Sequence, residues 1–517
     1  MRIRVWAVAW AVGLLAPEEG RSAAGGAPTL TAAQQSGKAA YDQHCAACHG
    51  SKGEGNGPAA VWLYPKPRNF TSGLFKIKST PPGALPSDED LFETLTRGMP
   101  GSSMPSFSYL SERQRRDAVQ YVEHLSAYTN ATGERISFFE EAKATGKPAP
   151  AIQVPPEPPI TVQALAEGQV WYNKLNCFTC HGLNGEGTGP SAPLLKDYWG
   201  FSLPPRDFNT GPFRGGHTGR DLYLRTVTGL PGTPMPAFAE DGITPEQRWS
   251  LVHYVQSLRR KEIEINDILQ PADNTIHASR VRKVPAEPGD PFWERLDPVR
   301  VPLNPLWPEP DPIPAVAVRA VHDGKRVAIL CQWRDPIVNG APVRVQDFQD
   351  AMALQFSLND STPFLGMGDA QNPVNLWQWK AGWQQEIQDG RPDVNTVYVS
   401  MHYDVYFQTN ALFRTAEAAN NLLALPVRVS PVEDCNARGF GTLKSQPASQ
   451  QNVRGKGIWR DSHWNVLFLR ELKSPDAEDV KFLAGKPVPV AFAVWDGENR
   501  DRNGRKVISN WLKLVCE

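Results

Sequence analysis

Two short stretches of the chain share one pattern of cysteine, histidine and glycine. HCAACHGSKGEGNGP begins at His44, and NCFTCHGLNGEGTGP begins at Asn176. Each contains C-x-x-C-H, the signature of covalent c-type haem attachment. The two thiols add to the haem vinyl groups, and the adjacent histidine offers a ring nitrogen to the iron. The pattern predicts two haem c groups, attached through Cys45, Cys48, Cys177 and Cys180 and ligated by His49 and His181.

Zinc sites and thioredoxin-like redox pairs also use C-x-x-C. Zinc would need two further ligands nearby, and neither copy supplies more cysteines. A redox pair would not need the histidine that follows. Because the complete motif occurs twice in the same register, the sequence favours haem.

A second repeated motif supplies a sixth iron ligand. G-x-P-G-x-x-M-P-x-F occurs at residues 98–107 and again at 229–238. Met99 aligns with Leu230, whereas Met104 aligns with Met235, so we expect Met104 and Met235 to be the axial ligands. Methionine ligation raises the haem potential. An iron with both axial positions filled has no site for substrate, which predicts electron transfer at both haems and argues against a peroxidase.

Each copy also contains Pro-Arg-x-Phe, at residues 67–70 and 205–208. The planar guanidinium groups of Arg68 and Arg206 could pair with haem propionates. A solvated surface arginine is the alternative for both, and the local sequence does not separate the two interpretations.

Helical patterns surround both motifs. Short helices are predicted before each attachment motif, and amphipathic helices close the copies near residues 113–128 and 245–260. We expect the aligned Tyr121 and Tyr254 to pack on the haem side of these closing helices. Residues 33–262 resemble a tandem class I cytochrome c, and this resemblance implies two small all-α domains.

Length and composition indicate an exported multidomain protein. A chain of 517 residues is too long to fold around a single hydrophobic core, so we expect several domains. Its net charge of −1 shows no basic excess that would suggest binding to nucleic acid. Arg2 and Arg4 precede an apolar run and then small residues, which predicts a signal peptide and a periplasmic location. An uncleaved amphipathic anchor is the alternative. No later apolar run is long enough to predict a transmembrane segment in the mature chain.

Composition and periodicity predict the domain boundaries. They are a signal peptide at 1–24, cytochrome c domain 1 at 33–130, a proline-rich linker at 131–160, cytochrome c domain 2 at 161–262, a linker at 263–289 and a third domain at 290–517.

The third domain changes from helical periodicity to alternation. AVAVRAV and RVAILCQW flank HDGK, a strong hairpin signal, and further β-runs cover residues 464–472, 488–497 and 506–514. Many short strands separated by turn residues predict an all-β antiparallel sandwich.

Several segments of this domain together resemble one family. They are HDGKRVAILCQWRD, DAMALQFS, PFLGMGDAQNPVNLWQWKAGW, ARGFGTL, GIWRDSHWNVLFLREL and AFAVWDGENRDRNGRKVISNW. They are similar to the haem b-binding gamma subunit of ethylbenzene dehydrogenase and related periplasmic molybdoenzymes, including nitrite oxidoreductase-like enzymes. The resemblance implies one non-covalent haem b held by Met367 and Lys506. His463 is the rival to Lys506 as a ligand.

The combination predicts an electron-transfer subunit with two c haems and one b haem. The resemblance implies a molybdopterin catalytic subunit and an iron–sulfur subunit as partners, with a soluble or membrane cytochrome as external carrier. Catalysis would belong to a partner, because this chain has no cysteine cluster for molybdopterin or iron–sulfur binding. The alternative is a dihaem cytochrome c whose sandwich binds a partner or carbohydrate without haem.

Overall fold

A computed structural model describes most of the chain. The described residues are 30–146, 149–211, 213–239, 242–260, 274–309, 311–340, 342–390, 398, 400 and 428–517. The predicted signal peptide lies outside them. Within these ranges, no helix combines the length and apolar character needed to cross a membrane.

Two helical regions follow one another along the chain. The first contains α1 (Ala32–His44), α2 (Ala46–His49), α3 (Asp88–Arg97), α4 (Glu112–Leu125) and α5 (Phe138–Ala144). The second contains α6 (Val162–Lys174), α7 (Phe178–His181), α8 (Gly219–Thr228) and α9 (Pro245–Ser257). The closing helices α4 and α9 therefore form where the amphipathic patterns predicted them. A small antiparallel hairpin, β1 (Ala127–Thr129) with β2 (Arg135–Ser137), interrupts the helical structure after α4.

Glycine permits the closest helix contact in each helical region. In α1, a Cβ at Gly37 would lie 1.9 Å from the carbonyl oxygen of Asp117 in α4. In α6, a Cβ at Gly168 would lie 2.0 Å from the carbonyl oxygen of Ser250 in α9. Any larger residue would force these helix pairs apart, so the equivalent glycines fix the same crossing in both regions.

The prediction that Tyr121 and Tyr254 face the haem side is wrong, because neither lines the cavity that contains the attachment cysteines. Tyr121 packs edge-on against Tyr41 with ring centres 5.3 Å apart, and Tyr254 packs in the same way against Tyr172 at 5.4 Å. They lie between the first and last helix of each region. The sequence pattern identified a buried face but could not say which of two neighbours it contacts.

The third region is built from β-strands. The strands are β3 (Thr275–Arg280), β4 (Val299–Pro302), β5 (Asn304–Pro305), β6 (Ala315–His322), β7 (Arg326–Arg334), β8 (Ala351–Ser357), β9 (Val374–Lys380), β10 (Val432–Ala437), β11 (Lys444–Ser445), β12 (Arg454–Arg460), β13 (His463–Glu471), β14 (Val488–Trp495), β15 (Val507–Ile508) and β16 (Leu512–Cys516). One helix, α10 (Ala381–Asp389), follows β9.

All fourteen of these strands join one sheet in the described part of the chain. Its main path runs β11-β10-β9-β8-β14-β16-β3-β6-β7-β13-β12. The predicted hairpin is present, because β6 and β7 pair in antiparallel register around Asp323 and Gly324. The predicted change from helical to β structure along the chain is thus confirmed, although the molecule as a whole is mixed α and β.

Strand β3 departs from the prediction. It lies in the segment expected to be a linker, yet it inserts between β16 and β6 and is parallel to both. The sheet is therefore not wholly antiparallel, and it includes residues before position 290. Parallel neighbours come from distant parts of a chain, so local alternation could not reveal this pairing.

Tryptophans join the two halves of the sheet. Trp379 of β9 contacts Trp464 of β13, with ring centres 4.8 Å apart, and Trp333 of β7, at 6.1 Å. All three belong to one buried apolar cluster that draws on strands from both ends of the path. The sheet thus folds over a common core, and this core supports the strand ends and the outer face where the candidate site lies.

Candidate functional site

One large cavity extends through both helical regions and reaches the β-sheet. Its volume is about 1470 Å³. All of the predicted attachment and ligand residues line it: Cys45, Cys48, His49, Met104, Cys177, Cys180, His181, Met235, Met367 and Lys506. The structure also places Arg68 and Arg206 in its wall. Residues separated by several hundred positions are therefore brought together in one space.

The attachment motif has the same local structure in both regions. Each C-x-x-C-H forms a single helical turn that ends at a glycine with φ of 78°, Gly50 in the first copy and Gly182 in the second. The Tyr41 hydroxyl donates to the carbonyl oxygen of Gly50 at 2.7 Å, and Tyr172 donates to Gly182 at 2.7 Å. These buried hydrogen bonds hold the turn against the preceding helix. The left-handed conformation explains why glycine follows the motif histidine.

The motif histidines are buried and oriented by one hydrogen bond each. His49 Nδ1 lies 2.8 Å from the carbonyl oxygen of Arg68, and its ring stacks on Phe70 with centres 4.4 Å apart. The second copy repeats both contacts, with His181 Nδ1 3.2 Å from the Arg206 oxygen and the ring 4.3 Å from Phe208.

Burial sets the protonation state of these rings. It lowers the pKa of His49 to about 4 and also lowers the pKa of His181, so both imidazoles are neutral near pH 7. When Nδ1 donates its proton to a backbone carbonyl, Nε2 retains the lone pair that iron requires. The arrangement can therefore present one nitrogen ligand in each helical region.

The methionine loops also match between the copies. The Met99 amide donates to the Met104 carbonyl at 3.1 Å, and the Leu230 amide donates to the Met235 carbonyl at 3.1 Å. Met99 lines the cavity as well as Met104. The choice of Met104 therefore rests on the comparison of the two copies, in which position 99 is leucine in the second.

Several cationic side chains line the cavity where the two helical regions meet, and four of them lie close to one another. They are Arg68, Lys76, Arg206 and Arg214. Arg68 lies over the ring of Trp199 in the second region at 4.6 Å, and a Cβ at Gly101 in the first region would lie 3.2 Å from Arg206 Nη2. Each arginine thus reaches across to the other region.

These cations are buried, and their hydrogen-bond donors are only partly used; Arg206, for example, donates to the Gly211 carbonyl. Burial lowers the pKa of Arg68 and Arg206 to about 10 and that of Lys76 to about 7, and it also lowers the pKa of Arg214. Both Nη atoms of Arg68 and the Nε atom of Arg214 lack a hydrogen-bond partner among the described residues. Buried guanidinium groups without partners suit an anionic group. Haem propionates fit this requirement, so the residues present agree with haem in this cavity.

The sequence prediction missed Lys76 and Arg214. They occupy equivalent positions in the two copies, because Lys76 ends the segment SGLFK and Arg214 ends the segment TGPFR. Alignment of the two copies contains this signal, although the residue types differ. What links them functionally is burial beside Arg68 and Arg206, which only the structure shows.

On the β-sheet, alanines form the wall of the cavity. Alternate residues of β8 and β14 face it; four of them are alanines, Ala351, Ala353, Ala491 and Ala493, and the other two are Gln355 and Trp495. The residues between them on β8, including Met352 and Leu354, point into the apolar core. A two-residue period thus gives each strand one packed face and one nearly flat face, which suits the plane of a large ring. The sequence showed this alternation, but small residues alone carried no functional signal.

Met367 lies at a tight turn beside this wall. Its φ is 67°, an uncommon value for a residue other than glycine, and its carbonyl accepts a hydrogen bond from the Gly439 amide at 2.8 Å. The side chain packs against a cluster that contains Trp511 and Leu376. Tyr109 from the first helical region joins the same cluster.

Lys506 lies in the cavity with Met367. Burial lowers its pKa to about 8, and its Nζ atom lies 4.6 Å from the centre of the Trp495 ring. His463 does not line this cavity. It begins β13, and its Nδ1 lies 2.8 Å from the carbonyl oxygen of Asp461. The structure therefore brings Lys506, and not His463, to the space that contains Met367.

The first helical region is in direct contact with the sheet. The Tyr64 amide donates to the Leu306 carbonyl at 2.9 Å, and the Gly101 amide donates to Asn304 Oδ1 at 2.7 Å. Cys48 packs against an apolar cluster that also contacts Ile508, two residues after Lys506. The attachment site of the first motif is thus adjacent to the part of the cavity that contains Lys506.

Comparisons with known proteins agree with this organisation. The cytochrome c family model matches residues 34–126 and 165–259, and the ethylbenzene dehydrogenase family model matches residues 290–507. These ranges contain most of the two helical regions and most of the β-sheet.

Relatives match parts of the chain. Chlorate reductase subunit gamma of Ideonella dechloratans is 27% identical over 201 residues, which are 38% of this chain and 64% of the relative. Dimethylsulfide dehydrogenase subunit gamma of Rhodovulum sulfidophilum is 26% identical over 252 residues, which are 44% of this chain and 75% of the relative. A chain of the reducing HAO-like protein complex of Kuenenia stuttgartiensis is 40% identical, with 44% of this chain and 96% of that chain covered and a TM-score of 0.40.

The two matched families coincide with the two kinds of cavity wall, one carrying the attachment motifs and one carrying Met367 and Lys506. Both resemblances predicted from the sequence are confirmed. The chain contains two cytochrome c domains, which belong to the cytochrome c family, followed by a domain of the ethylbenzene dehydrogenase family.

Proposed function

We propose that this chain is the gamma-type electron-transfer subunit of an exported molybdenum oxidoreductase, with two covalent c haems and one b haem. The observation that carries the proposal is the shared cavity, which is lined by both attachment motifs, by Met104 and Met235, and by Met367 and Lys506. A domain that only bound carbohydrate or a partner would have no need for a buried lysine facing an attachment site.

The residues of the chain would hold the haems as follows. In the cytochrome c domains, the cysteines attach haem and the histidine and Met104 or Met235 ligate the iron. In the third domain, a β-sandwich, Met367 and Lys506 would ligate the b haem on the wall formed by β8 and β14. Bound haem supplies one-electron oxidation and reduction. The polypeptide would orient the histidine ligands through the Arg68 and Arg206 carbonyls, and the buried arginines would neutralise the propionates.

Lysine can act as a ligand only as a neutral amine, because an ammonium has no lone pair. Burial of Lys506 disfavours its charged form, which lowers the pKa from an ordinary 10.5 to about 8. The site thus makes the ligating form easier to reach before any iron binds.

The contacts between domains suggest an order of sites. The first cytochrome c domain touches the β-domain through Tyr64 and Gly101 and touches the second cytochrome c domain through Arg225, whose Nη2 donates to the Lys78 carbonyl at 2.5 Å. We infer that the b site neighbours the first c site, and that the second c site is the one nearest an external carrier.

Partners and location extend this proposal. The names of the relatives describe subunits of chlorate reductase and of dimethylsulfide dehydrogenase. By analogy, a molybdopterin catalytic subunit and an iron–sulfur subunit would exchange electrons with this chain in the periplasm, and a soluble or membrane cytochrome would be the final partner. The substrate-converting chemistry would then belong to the catalytic subunit.

Affinity purification of the tagged protein from its native cells tests the assignment. We expect a catalytic subunit to co-purify, with molybdenum in the complex by mass spectrometry and with b and c haem absorption that changes when substrate is added. Isolation of the protein without a molybdenum-containing partner, under conditions that preserve such complexes, would contradict the proposal. A protein that retains c haem but binds carbohydrate would support the binding-module alternative.

A further inference from the structure

Three aspartates converge at one end of the β-domain. Asp335 directly follows β7, Asp350 directly precedes β8, and Asp496 directly follows β14. One carboxylate oxygen from each lies within 4.8 Å of the others. Strand β7 belongs to one end of the sheet path and β8 and β14 to the other, so the cluster connects the two halves of the folded sheet.

Two of these carboxylates are buried and the third, Asp496, is partly exposed. Asp335 is 2% exposed and Asp350 is fully buried. No lysine or arginine of the described residues forms an ion pair with any of the three, and burial together with the neighbouring carboxylates raises the pKa of Asp335 to about 7. Three close anions in an apolar surrounding repel one another, and a bound cation would remove that cost.

Two oxygens at this cluster lack any protein partner. Asp335 Oδ2 and Asn339 Oδ1 are inaccessible to solvent and accept no hydrogen bond from the described residues. The Asn339 side chain packs closely against Gly497. A Cβ added to Gly497 would lie only 2.4 Å from the Cβ of Asn339. Its backbone amide donates to Asp350 Oδ2 at 2.8 Å, so this asparagine is fixed beside the carboxylates. Asn339 is partly buried, whereas Asp335 is nearly wholly buried and carries an acceptor oxygen with no donor, the feature expected where an ion supplies the missing partner.

The hydrogen bonds of Asp350 hold the cluster in place. Asp350 Oδ1 accepts from the Gly497 amide at 2.9 Å, and Asp350 Oδ2 also accepts from Trp464 Nε1 at 3.0 Å. Asp335 Oδ1 accepts from the Ile337 amide at 3.1 Å. Both oxygens of Asp350 therefore accept hydrogen bonds, and both oxygens of Asp496 do so as well, from the Glu498 amide at 2.8 Å and from Asn499 Nδ2 at 3.1 Å. Among the three carboxylates, Asp335 Oδ2 is the oxygen that has no donor in the described part of the chain.

We propose that Asp335, Asp350 and Asp496, with Asn339 Oδ1, bind a divalent cation, and that this cation is Ca²⁺. The donors are all oxygens, which suit a hard cation and not zinc or copper. Calcium accepts irregular geometry and completes its shell with water, whereas magnesium requires a near-ideal octahedron. The three donors come from separate loops, an arrangement that favours the more tolerant ion.

The site would stabilise the loop that carries the predicted b-haem ligand. Asp496 begins the segment that ends at Lys506, and Trp495 Nε1 donates to the Asn503 carbonyl within it at 3.2 Å. Ala351 and Trp495, the neighbours of Asp350 and Asp496, line the haem cavity. The ion would therefore connect three strand ends behind the haem wall. Calcium binding itself does not depend on the proposed function.

Metal analysis of the full-length holoprotein provides the test. The protein is analysed as purified, then treated with EDTA, dialysed free of metal and titrated with CaCl₂ or MgCl₂ alone. We expect about one Ca²⁺ per chain as purified and, after EDTA treatment, a melting temperature that rises by roughly 4 °C on addition of Ca²⁺ and much less on addition of Mg²⁺.

Two substitutions locate the binding site. Asp335→Asn is expected to abolish both the bound Ca²⁺ and the thermal response. Asp461→Asn is the control, because the Asp461 side chain is 81% exposed. Asp461 nevertheless lies close to the site, since the carbonyl of the next residue, Ser462, accepts a hydrogen bond from the Asp335 amide. This variant should retain the bound Ca²⁺ and the thermal response. Absence of Ca²⁺ from the wild-type protein together with no thermal response overturns the proposal, as does an unchanged response in Asp335→Asn. If Asp335→Asn does not fold, the wild-type measurements still decide.

Discussion

The ammonium nitrogen of Lys506 lies 4.6 Å from the centre of the Trp495 ring, inside the cavity that also contains Met367. Tryptophan supplies a negative ring face to a lysine that has been removed from water, which offsets part of the cost of burying the charge. If the amine bound the iron of a b haem, as proposed, it would be neutral and this interaction would no longer be required. The contact with Trp495 therefore allows Lys506 to be buried either as a protonated ammonium or as a neutral amine.

Replacement of Lys506 tests its role as the second b-haem ligand. Lys506→Ala is expected to convert the b haem from a low-spin to a high-spin absorption spectrum, because one axial ligand is removed, while both c haems stay unchanged. Lys513→Ala, on the exposed face of β16, is the control and should leave every haem spectrum as in the wild type. A low-spin b haem that survives in Lys506→Ala would rule out this ligand.

The two cavity methionines of the first domain should behave differently. Met104→Ala is expected to lower the potential of the first c haem and to remove its sulfur-to-iron absorption band, because a thioether ligand favours ferrous iron. Met99→Ala changes a neighbour that also lines the cavity, yet it should preserve both properties. Spectroelectrochemical titration measures the two variants, and an effect confined to Met99→Ala would reverse the assignment.

Arg68 should tune the c haems by charge. Arg68→Gln removes a buried cation whose Nη atoms have no protein partner, so the reduced haem loses favourable interaction and its potential falls. We expect a decrease of about 60 mV, equal to a tenfold change for a one-electron couple. Arg113→Gln in α4 alters an arginine whose side chain is 88% exposed and should change the potential far less. Equal potentials in Arg68→Gln and the wild type would contradict pairing with a propionate.

Glu123 should make the stability of the first domain pH-dependent. Burial raises its pKa from an ordinary 4.5 to about 7, so the folded state holds the proton more tightly than the unfolded state. Its contribution is fully favourable below pH 4.5 and is lost as the pH rises through 7. Denaturant unfolding at pH 5 and pH 8 should therefore show a smaller loss of stability in Glu123→Gln than in the wild type. Glu112→Gln, with a side chain 63% exposed, should follow the wild type.

Repetition explains why the cytochrome c half could be predicted so fully. Two copies of one motif allowed each ligand to be checked against its equivalent, and the structure gives His49 and His181 the same hydrogen bond and the same stacked phenylalanine. The repeat also separated Met104 from Met99. The face of Tyr121 could not be inferred in this way, because both copies pack that tyrosine against a helix of their own.

The β-domain offered no such internal comparison. Alternation identified β6, β7, β13 and β14, but the parallel pairing of β3 joins residues more than two hundred positions apart and leaves no local pattern. The choice between Lys506 and His463 had the same difficulty. Each is a plausible ligand by residue type, and only their positions relative to the cavity distinguish them. The carboxylates of Asp335, Asp350 and Asp496 likewise converge only in three dimensions.

We propose that this one chain holds two covalent haems and one removable haem. Acid–acetone extraction of the purified full-length protein, followed by pyridine haemochrome spectra of both fractions, measures this directly. We expect one haem b in the organic phase for every two haem c groups that remain with the polypeptide. Covalent haem in the protein fraction with no extractable haem would contradict it and would leave the β-domain as a binding module.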